Sequence, residues 1–362
     1  MTYSPFSTSS LNLLSPVVGR ILVTGASGFV GRRLLEVLTQ TWPEMEILAA
    51  VRSLPSKLIL GGPNSSPSRI KYLTMGDIGP NTKWPIPLGV DTVIHLAART
   101  HVMKESAPDP LSIYRQANTA VTINLAQQAA AAGVKRFIFL SSIKVNGEET
   151  LLGEAFSEVS TPAPLDPYGI SKFEAEEGLQ KVCSENGAHM DYVIIRAPLI
   201  YGPGVKANFR KLMNLVAIQS GTLLGNLISL PLGGIHNQRS FLALDNLVDF
   251  IRLAIAHPKA ANQLFLLADG TDFSSPALIQ MIAKGMHRKP PLLFSLPTGL
   301  LLYLGSMLGM KVAVQRLVGS LQVNSTKART LLSWQPPLKA KDAIALTAQA
   351  FLVERKQAGQ ST

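Results

Sequence analysis

The sequence has a single cysteine, Cys183. No intramolecular disulfide can form, and a reducing, cytoplasmic setting is expected. Charge is sparse at 16% of residues, with no Lys/Arg run and no interleaving of aromatic and basic residues. That absence argues against a nucleic-acid partner. Residues 1–18 are rich in Ser, Thr and Pro but lack a basic leader and a long apolar run, so they read as a disordered tail and not a signal peptide. No internal repeat is evident, and no metal site is expected. Long apolar runs are also missing, with one near-exception. Residues 292–310 carry no charge before Lys311, yet Pro297, Gly299, Gly305 and Gly309 interrupt them. A membrane span needs about 20 predominantly apolar residues. A buried or lid-forming helix pair is therefore expected, with peripheral membrane contact as the minority reading.

What is present begins with 362 residues, enough for one large or two modest domains, and a formal charge of +11. Such a charge suits anionic ligands, a membrane surface or nucleic acid. A phosphate-bearing small molecule is the most economical of these.

Arg20–Thr24 is a short apolar run of the kind that forms a buried parallel strand. Gly25-Ala26-Ser27-Gly28-Phe29-Val30-Gly31 follows at once, and Arg32–Gln40 reads as a helix. Glycines at a strand-to-helix turn let backbone N–H groups approach a pyrophosphate. A second strand, Glu46–Val51, ends in Arg52 without a carboxylate. An acidic residue there would accept from the 2′-hydroxyl of NAD, whereas an arginine pairs a 2′-phosphate. NADP(H) is therefore favoured over NAD(H), with Arg52 the phosphate partner or else an ordinary solvated loop residue. Asp77, after the strand at 70–75, either caps the adenine edge or is a plain turn residue. Strand 91–98 ends in Leu96-Ala97-Ala98, small enough to leave room for a cofactor. His95 within it reads as a satisfied core histidine. Asn118 opens a helix ending at Gly133; its amide either braces a neighbouring helix or serves only as an entry residue.

Strand 136–140 delivers Ser141-Ser142-Ile143-Lys144 at its C-terminal edge, where ligands bind in open α/β sheets. Tyr168 and Lys172 lie four residues apart, on one face of a helix. A fixed cation beside a phenol favours phenolate and brings the group towards efficient proton transfer. The bland alternative is a half-buried Tyr one turn before a Lys. A sixth strand spans 191–196. Strand and helix alternate throughout 20–196, which predicts one doubly wound parallel Rossmann sheet of α/β class.

Taken together, Thr24-Gly25-x-x-Gly28-Phe29-x-Gly31, His95-Leu-Ala-Ala98, Ser141-Ser142, Tyr168-x-x-x-Lys172 and Arg196-x-Pro198-x-x-Tyr201-Gly202-Pro203 resemble the extended short-chain dehydrogenase/reductase family, in its nucleotide-sugar branch. The resemblance covers residues 19–335. It implies that Ser142, Tyr168 and Lys172 are the catalytic trio: Tyr168 exchanges the proton of a sugar hydroxyl, Lys172 lowers its pKa and holds the nicotinamide ribose, and Ser142 aligns the oxygen. It further implies cofactor contacts from Gly25, Ser27, Gly28, Phe29, Val30, Leu96, Ala97, Ala98, Lys172 and Pro198. Arg239, in Arg-Ser-Phe-Leu-Ala-Leu-Asp245, would bind the diphosphate of a UDP-sugar substrate, with Asn208 and Arg316 as further contacts. A bidentate guanidinium suits that role.

Family dehydratases carry Thr-Asp-Glu where this chain has Ser142-Ile143-Lys144. Without that carboxylate pair, dehydration is not expected. More narrowly, Ser141–Gly147, Gly202–Asn208 and Gly319–Val323 resemble O-antigen pathway enzymes that reduce C4 of a UDP-4-keto-6-deoxy-N-acetylhexosamine. The expected function is that 4-ketoreduction, with C4 epimerisation on retained NAD as the alternative. The expected domains are a nucleotide lobe at 19–197 and 237–268, a smaller discontinuous substrate lobe at 198–236 and 269–335, and a C-terminal extension at 336–362. A homodimer is compatible with all of this.

Overall fold

Alternation along the strands sets the architecture. The structure, a computed structural model, describes residues 19–54, 69–100, 108–185, 189–219 and 229–359; the tail expected over 1–18 lies outside them. Ile21 and Val23 of β1 (Arg20–Thr24) face one hydrophobic cluster, while Leu22 between them faces another. β2 (Glu46–Val51) divides in the same way, with Ile47, Ala49 and Val51 on one side and Leu48 and Ala50 on the other. Successive side chains of a strand point to opposite faces, so apolar residues at every position mean a sheet covered on both sides.

Seven parallel strands run in the order β3-β2-β1-β4-β5-β6-β9. The remaining five are β3 (Ile70–Thr74), β4 (Val90–His95), β5 (Arg136–Ser142), β6 (Asp191–Ala197) and β9 (Gln263–Leu266). One face is covered by α1 (Phe29–Thr41) and α6 (Leu244–Ala256), the other by α3 (Val121–Ala131) and α4 (Pro167–Ser184). The order reverses between β1 and β4, the position where doubly wound sheets open a ligand crevice. The expected α/β Rossmann fold is what the chain adopts.

One element differs from its sequence reading. Asn118 does not open its helix. The helical stretch starts earlier, at α2 (Pro110–Tyr114), capped by Asp109, and continues through a π-helical turn at Arg115–Ala120 into α3. Asp109-Pro110 is an N-cap followed by proline at the first helical position, a start signal that outranks Asn118.

A second hydrophobic cluster builds the other lobe. A short parallel pair, β7 (Leu199–Tyr201) and β8 (Phe241–Ala243), leads into it. Its core joins α5 (Ala207–Gln219), α7 (Ser275–Gly285) and α11 (Ala340–Gly359), through Phe209, Met213, Ile279, Ile282, Ile344 and Phe351. α10 (Thr326–Leu332) and Trp334 return to the sheet's own core. α8 (Thr298–Met307) and α9 (Lys311–Val318) form a pair on this lobe. The helix pair is as expected, but the expected burial is not found: Tyr303, Met307 and Leu308 are 61, 70 and 73% exposed. Among the described residues, no helix is long and apolar enough to cross a membrane.

Candidate active site

The turn after β1 is built by glycines that no other residue could replace without moving backbone. Gly25 adopts φ +67°, and a Cβ there would stand 2.7 Å from the Ala97 backbone nitrogen. A Cβ on Gly31 would meet the Gly25 carbonyl oxygen at 2.3 Å and Ala26 Cα at 2.7 Å. The turn therefore lies hard against both β4's continuation and the start of α1. Gly28 caps that helix, whose first turn holds no acidic residue. An unpartnered helix N-terminus free of carboxylates is an anion site.

The turn opens onto a groove of about 960 Å³ along the C-terminal edge of the sheet. Gly25, Ser27, Gly28, Phe29, Val30, Arg52, Asp77, Leu96, Ala97, Ala98 and Pro198 all line it, together with Ser142, Tyr168 and Lys172. Seven stretches of sequence thus meet in one cavity whose glycine cradle fits a dinucleotide. Arg52 Nε lies 3.1 Å from Asp77 Oδ1, both side chains largely exposed. The carboxylate missing from the end of β2 is supplied by the segment after β3. Both charge signs therefore sit at that end of the groove, so the residue that ends β2 does not by itself select a 2′-phosphate.

α4 carries Tyr168 and Lys172. Asp166 caps it, its Oδ1 accepting from the Gly169 N–H at 2.7 Å, and Pro167 occupies the first helical position. Tyr168, Lys172 and Glu176 then follow at four-residue spacing along one face. Tyr168 and Ser142 line the same groove, and the Tyr168 ring meets Tyr114 edge-on, centroids 6.2 Å apart. Lys172 is buried; its Nζ donates to the Leu140 carbonyl at 2.9 Å and sits 4.3 Å from the Phe139 ring centroid. Burial brings the Lys172 ammonium down to about 7, against a smaller upward pull from Glu176. The Tyr168 phenol is pushed above its usual range, first by burial and then by the Asp166 carboxylate, with Ser142 acting in the opposite sense. The expected depression of Tyr168 by Lys172 is therefore not what this geometry produces: the ammonium is turned to a carbonyl and an aromatic face.

Beneath this face lies a buried polar cluster that sequence reading did not single out. Glu176 accepts from Arg196 Nη2 at 2.6 Å and from Arg196 Nε at 3.1 Å, and Ser141 donates to it as well. Arg196 Nη1 reaches Asn146 Oδ1 at 3.0 Å. The i+4 spacing from Lys172 to Glu176 was a legible signal. Lys144 pairs with Glu148 at 2.8 Å and with Asp166, tying the loop after β5 to the cap of α4. Asn118 braces the same helix: its Nδ2 donates to Ser171 Oγ at 3.0 Å and to the Arg99 carbonyl at 3.1 Å.

His95 is held between threonines, Thr24 Oγ1 at 2.6 Å from Nδ1 and Thr122 Oγ1 at 3.1 Å from Nε2. Thr122 already donates to the Asn118 carbonyl, so its oxygen accepts from Nε2–H and Thr24 donates to Nδ1. Burial lowers the imidazole to about 3, as a neutral core histidine requires.

The three residues assigned to the diphosphate do not line the groove. Arg239 is half-buried; its Nη1 donates to the Gly319 carbonyl at 2.9 Å. Burial pushes its guanidinium down, with Glu149 opposing and Arg316 adding repulsion. Arg239 and Arg316 are thus brought together, near the loop that follows Ser142. Asn208 stands apart, exposed in the first turn of α5. Among the described residues, no cluster of His, Cys, Asp and Glu is arranged to hold a metal.

A sequence profile described as the NAD dependent epimerase/dehydratase family matches residues 21–268. The chain is 42% identical over 334 residues to a UDP-glucose 4-epimerase of Vibrio cholerae, spanning 92% of this chain and 95% of that one. It is 26% identical over 273 residues to an N-acetyl-alpha-D-glucosaminyl-diphospho-ditrans,octacis-undecaprenol 4-epimerase of Escherichia coli O157:H7, spanning 75% and 73% of the two chains. In fold it is similar to a UDP-glucuronic acid 4-epimerase of Bacillus cereus solved in complex with NAD, with a TM-score of 0.68, 20% identity, and coverage of 92% and 99%. With the glycine cradle, the parallel sheet and the Ser–Tyr–Lys cluster in place, the chain belongs to the NAD-dependent epimerase/dehydratase family, the extended short-chain dehydrogenase/reductases.

Proposed function

We propose that the protein interconverts the alcohol and ketone at C4 of a UDP-hexose, and that it does so as a C4 epimerase. The observation that carries the chemistry is the meeting of Ser142, Tyr168 and Lys172 in one groove with the glycine cradle. The near full-length similarity to the Vibrio cholerae UDP-glucose 4-epimerase supports epimerisation over other outcomes. The nicotinamide of a bound NAD would accept and return hydride at the sugar carbon. Gly25, Ser27 and Gly28 would hold its pyrophosphate at the start of α1, with Asp77 and Arg52 at the adenosine ribose. Tyr168 is the proton carrier at the sugar oxygen, and the Ser142 hydroxyl, in the same groove, orients that oxygen. Lys172 holds charge and ribose from below. Ile143 and Lys144 supply no acid–base pair for dehydration.

A second reading, net reduction of a UDP-4-keto-6-deoxy-N-acetylhexosamine with NADPH, has one specific observation in its favour. Arg52 stands at the end of β2, where a 2′-phosphate would lie. In surface-polysaccharide synthesis either product would serve as a sugar donor.

Cofactor behaviour separates the two. The purified chain is incubated with UDP-galactose and UDP-glucose without added nucleotide, and separately with UDP-4-keto sugars and NADPH or NADH. Interconversion of the hexoses with no added cofactor supports the epimerase. Stoichiometric NADPH oxidation on the keto sugars alone supports the reductase. Inactivity in both arms, with the nucleotide bound, overturns the C4 assignment.

A further inference from the structure

The second lobe carries an apolar surface that the groove does not use. α8 has the sequence TGLLLYLGSM, without a charge, yet only Leu301 and Gly305 on it are buried. Gly305 lets α9 close against it: a Cβ there would stand 2.6 Å from Val314 Cγ2. The helices brace each other along that contact and leave Leu300, Tyr303, Leu304, Met307, Leu308 and Val312 exposed, from 41% at Leu304 to 73% at Leu308. An apolar patch of this kind marks a contact with a protein or a membrane.

Charge decides between them. From Phe273 to Lys341 the sequence contains no Asp or Glu, while Lys311 and Arg316 belong to the pair. A second copy of the chain would bring like charges together around the patch. An anionic bilayer complements it, with headgroups against the cations and acyl chains against the leucines. Tyr303, an apolar ring with a polar tip, suits the boundary between the two. The ten residues of α8 extend about 15 Å, half of a hydrocarbon core of about 30 Å, so the pair lies in the surface and does not span it.

We propose that the α8–α9 hairpin is a docking surface for anionic lipid bilayers, lying in the plane of the interface. α9 carries Arg316 and leads into Gly319, whose carbonyl holds Arg239, so the docked face adjoins the Arg239–Arg316 pair. Docking would bring the second lobe to the membrane. It rests on this face alone and is independent of which C4 reaction the groove performs.

The test is flotation of the full chain with vesicles of phosphatidylcholine alone and of phosphatidylcholine with phosphatidylglycerol, at low and high salt. Co-flotation with the phosphatidylglycerol vesicles, reduced by salt, is expected. Met307→Glu/Leu308→Glu, at positions that contact little else, should cut the bound fraction by roughly tenfold or more, since each apolar side chain lost from the interface is worth about that factor. Its melting temperature should be unchanged, which separates lost docking from misfolding. Lys311→Glu should weaken binding to the anionic vesicles only. The proposal is overturned if the unmodified chain stays unbound, if the double substitution binds as well as the parent, or if light scattering shows a dimer that the double substitution dissociates.

Discussion

Tyr168, Lys172 and Glu176 form one column on α4, and each depends on the next. Tyr168→Phe keeps the ring and its edge contact with Tyr114 but removes the transferable proton. General acid–base groups contribute about 10²–10⁴-fold, so turnover should fall by that order while dinucleotide affinity, read by titration, stays near normal. Retained turnover would return Tyr168 to the bland reading. Glu176→Gln acts one step further back. It leaves the buried Arg196 without its carboxylate, a loss of about 3–5 kcal/mol for broken buried pairs, read as a lower melting temperature. It also removes the one upward influence on Lys172. The apparent pKa of Lys172, followed through the pH dependence of nucleotide binding, should move below about 7.

His95 predicts a pH response of its own. Its folded pKa is lowered to about 3 from 6.5. Between those values the unfolded chain binds a proton that the native imidazole refuses, so stability falls as pH drops through that window. His95→Asn should flatten this acid limb in urea melts across the same range, even if it costs stability at neutral pH. An unchanged slope would mean that other groups govern acid unfolding.

Among the elements, the turn before α1 is the one that tolerates least. A methyl group on Gly31 would fall within 2.3 Å of a backbone carbonyl, and no side-chain motion relieves that. Gly31→Ala should push α1 from β1, lower the melting temperature and weaken dinucleotide binding at least tenfold. Gly79→Ala, with nothing within 4 Å of the new Cβ, is the matched control and should be silent. Helix and strand positions here follow from local pattern. The π turn that carries Asn118 does not: it is the cost of directing that amide at both Arg99 and Ser171. The earlier start at Asp109-Pro110 was readable by the same capping logic that finds α4 at Asp166-Pro167.

For the whole molecule, the second core depends on the C-terminal helix. Ile344 is 1% exposed and packs with α7. Ile344→Ala should cost about 2–5 kcal/mol, measured by denaturant unfolding. Residues after 335, read from the sequence as an extension, contribute Leu338, Ala343, Ala348 and Phe351 to that core. Removal of α11 should therefore leave an insoluble chain; a soluble, cofactor-binding truncation would show that the two cores fold separately.

Much of this protein was settled by short-range chemistry. Apolar runs with glycine turns between them specify a parallel sheet, because period and turn conformation are properties of a few adjacent residues. The Gly25–Gly31 cradle and the Tyr168–Lys172 face are of that kind, and so their lining of one groove could be anticipated. Charge partners are a different matter. Glu176 finds Arg196 twenty residues away and Arg52 finds Asp77 across two strands. Which way Lys172 turns depends on Leu140 and Phe139 of another strand. Whether the leucines of α8 face a core or solvent is decided by where α9 lies. Only the tertiary structure decided these, because burial and pairing between residues distant in sequence depend on the packing of the entire chain.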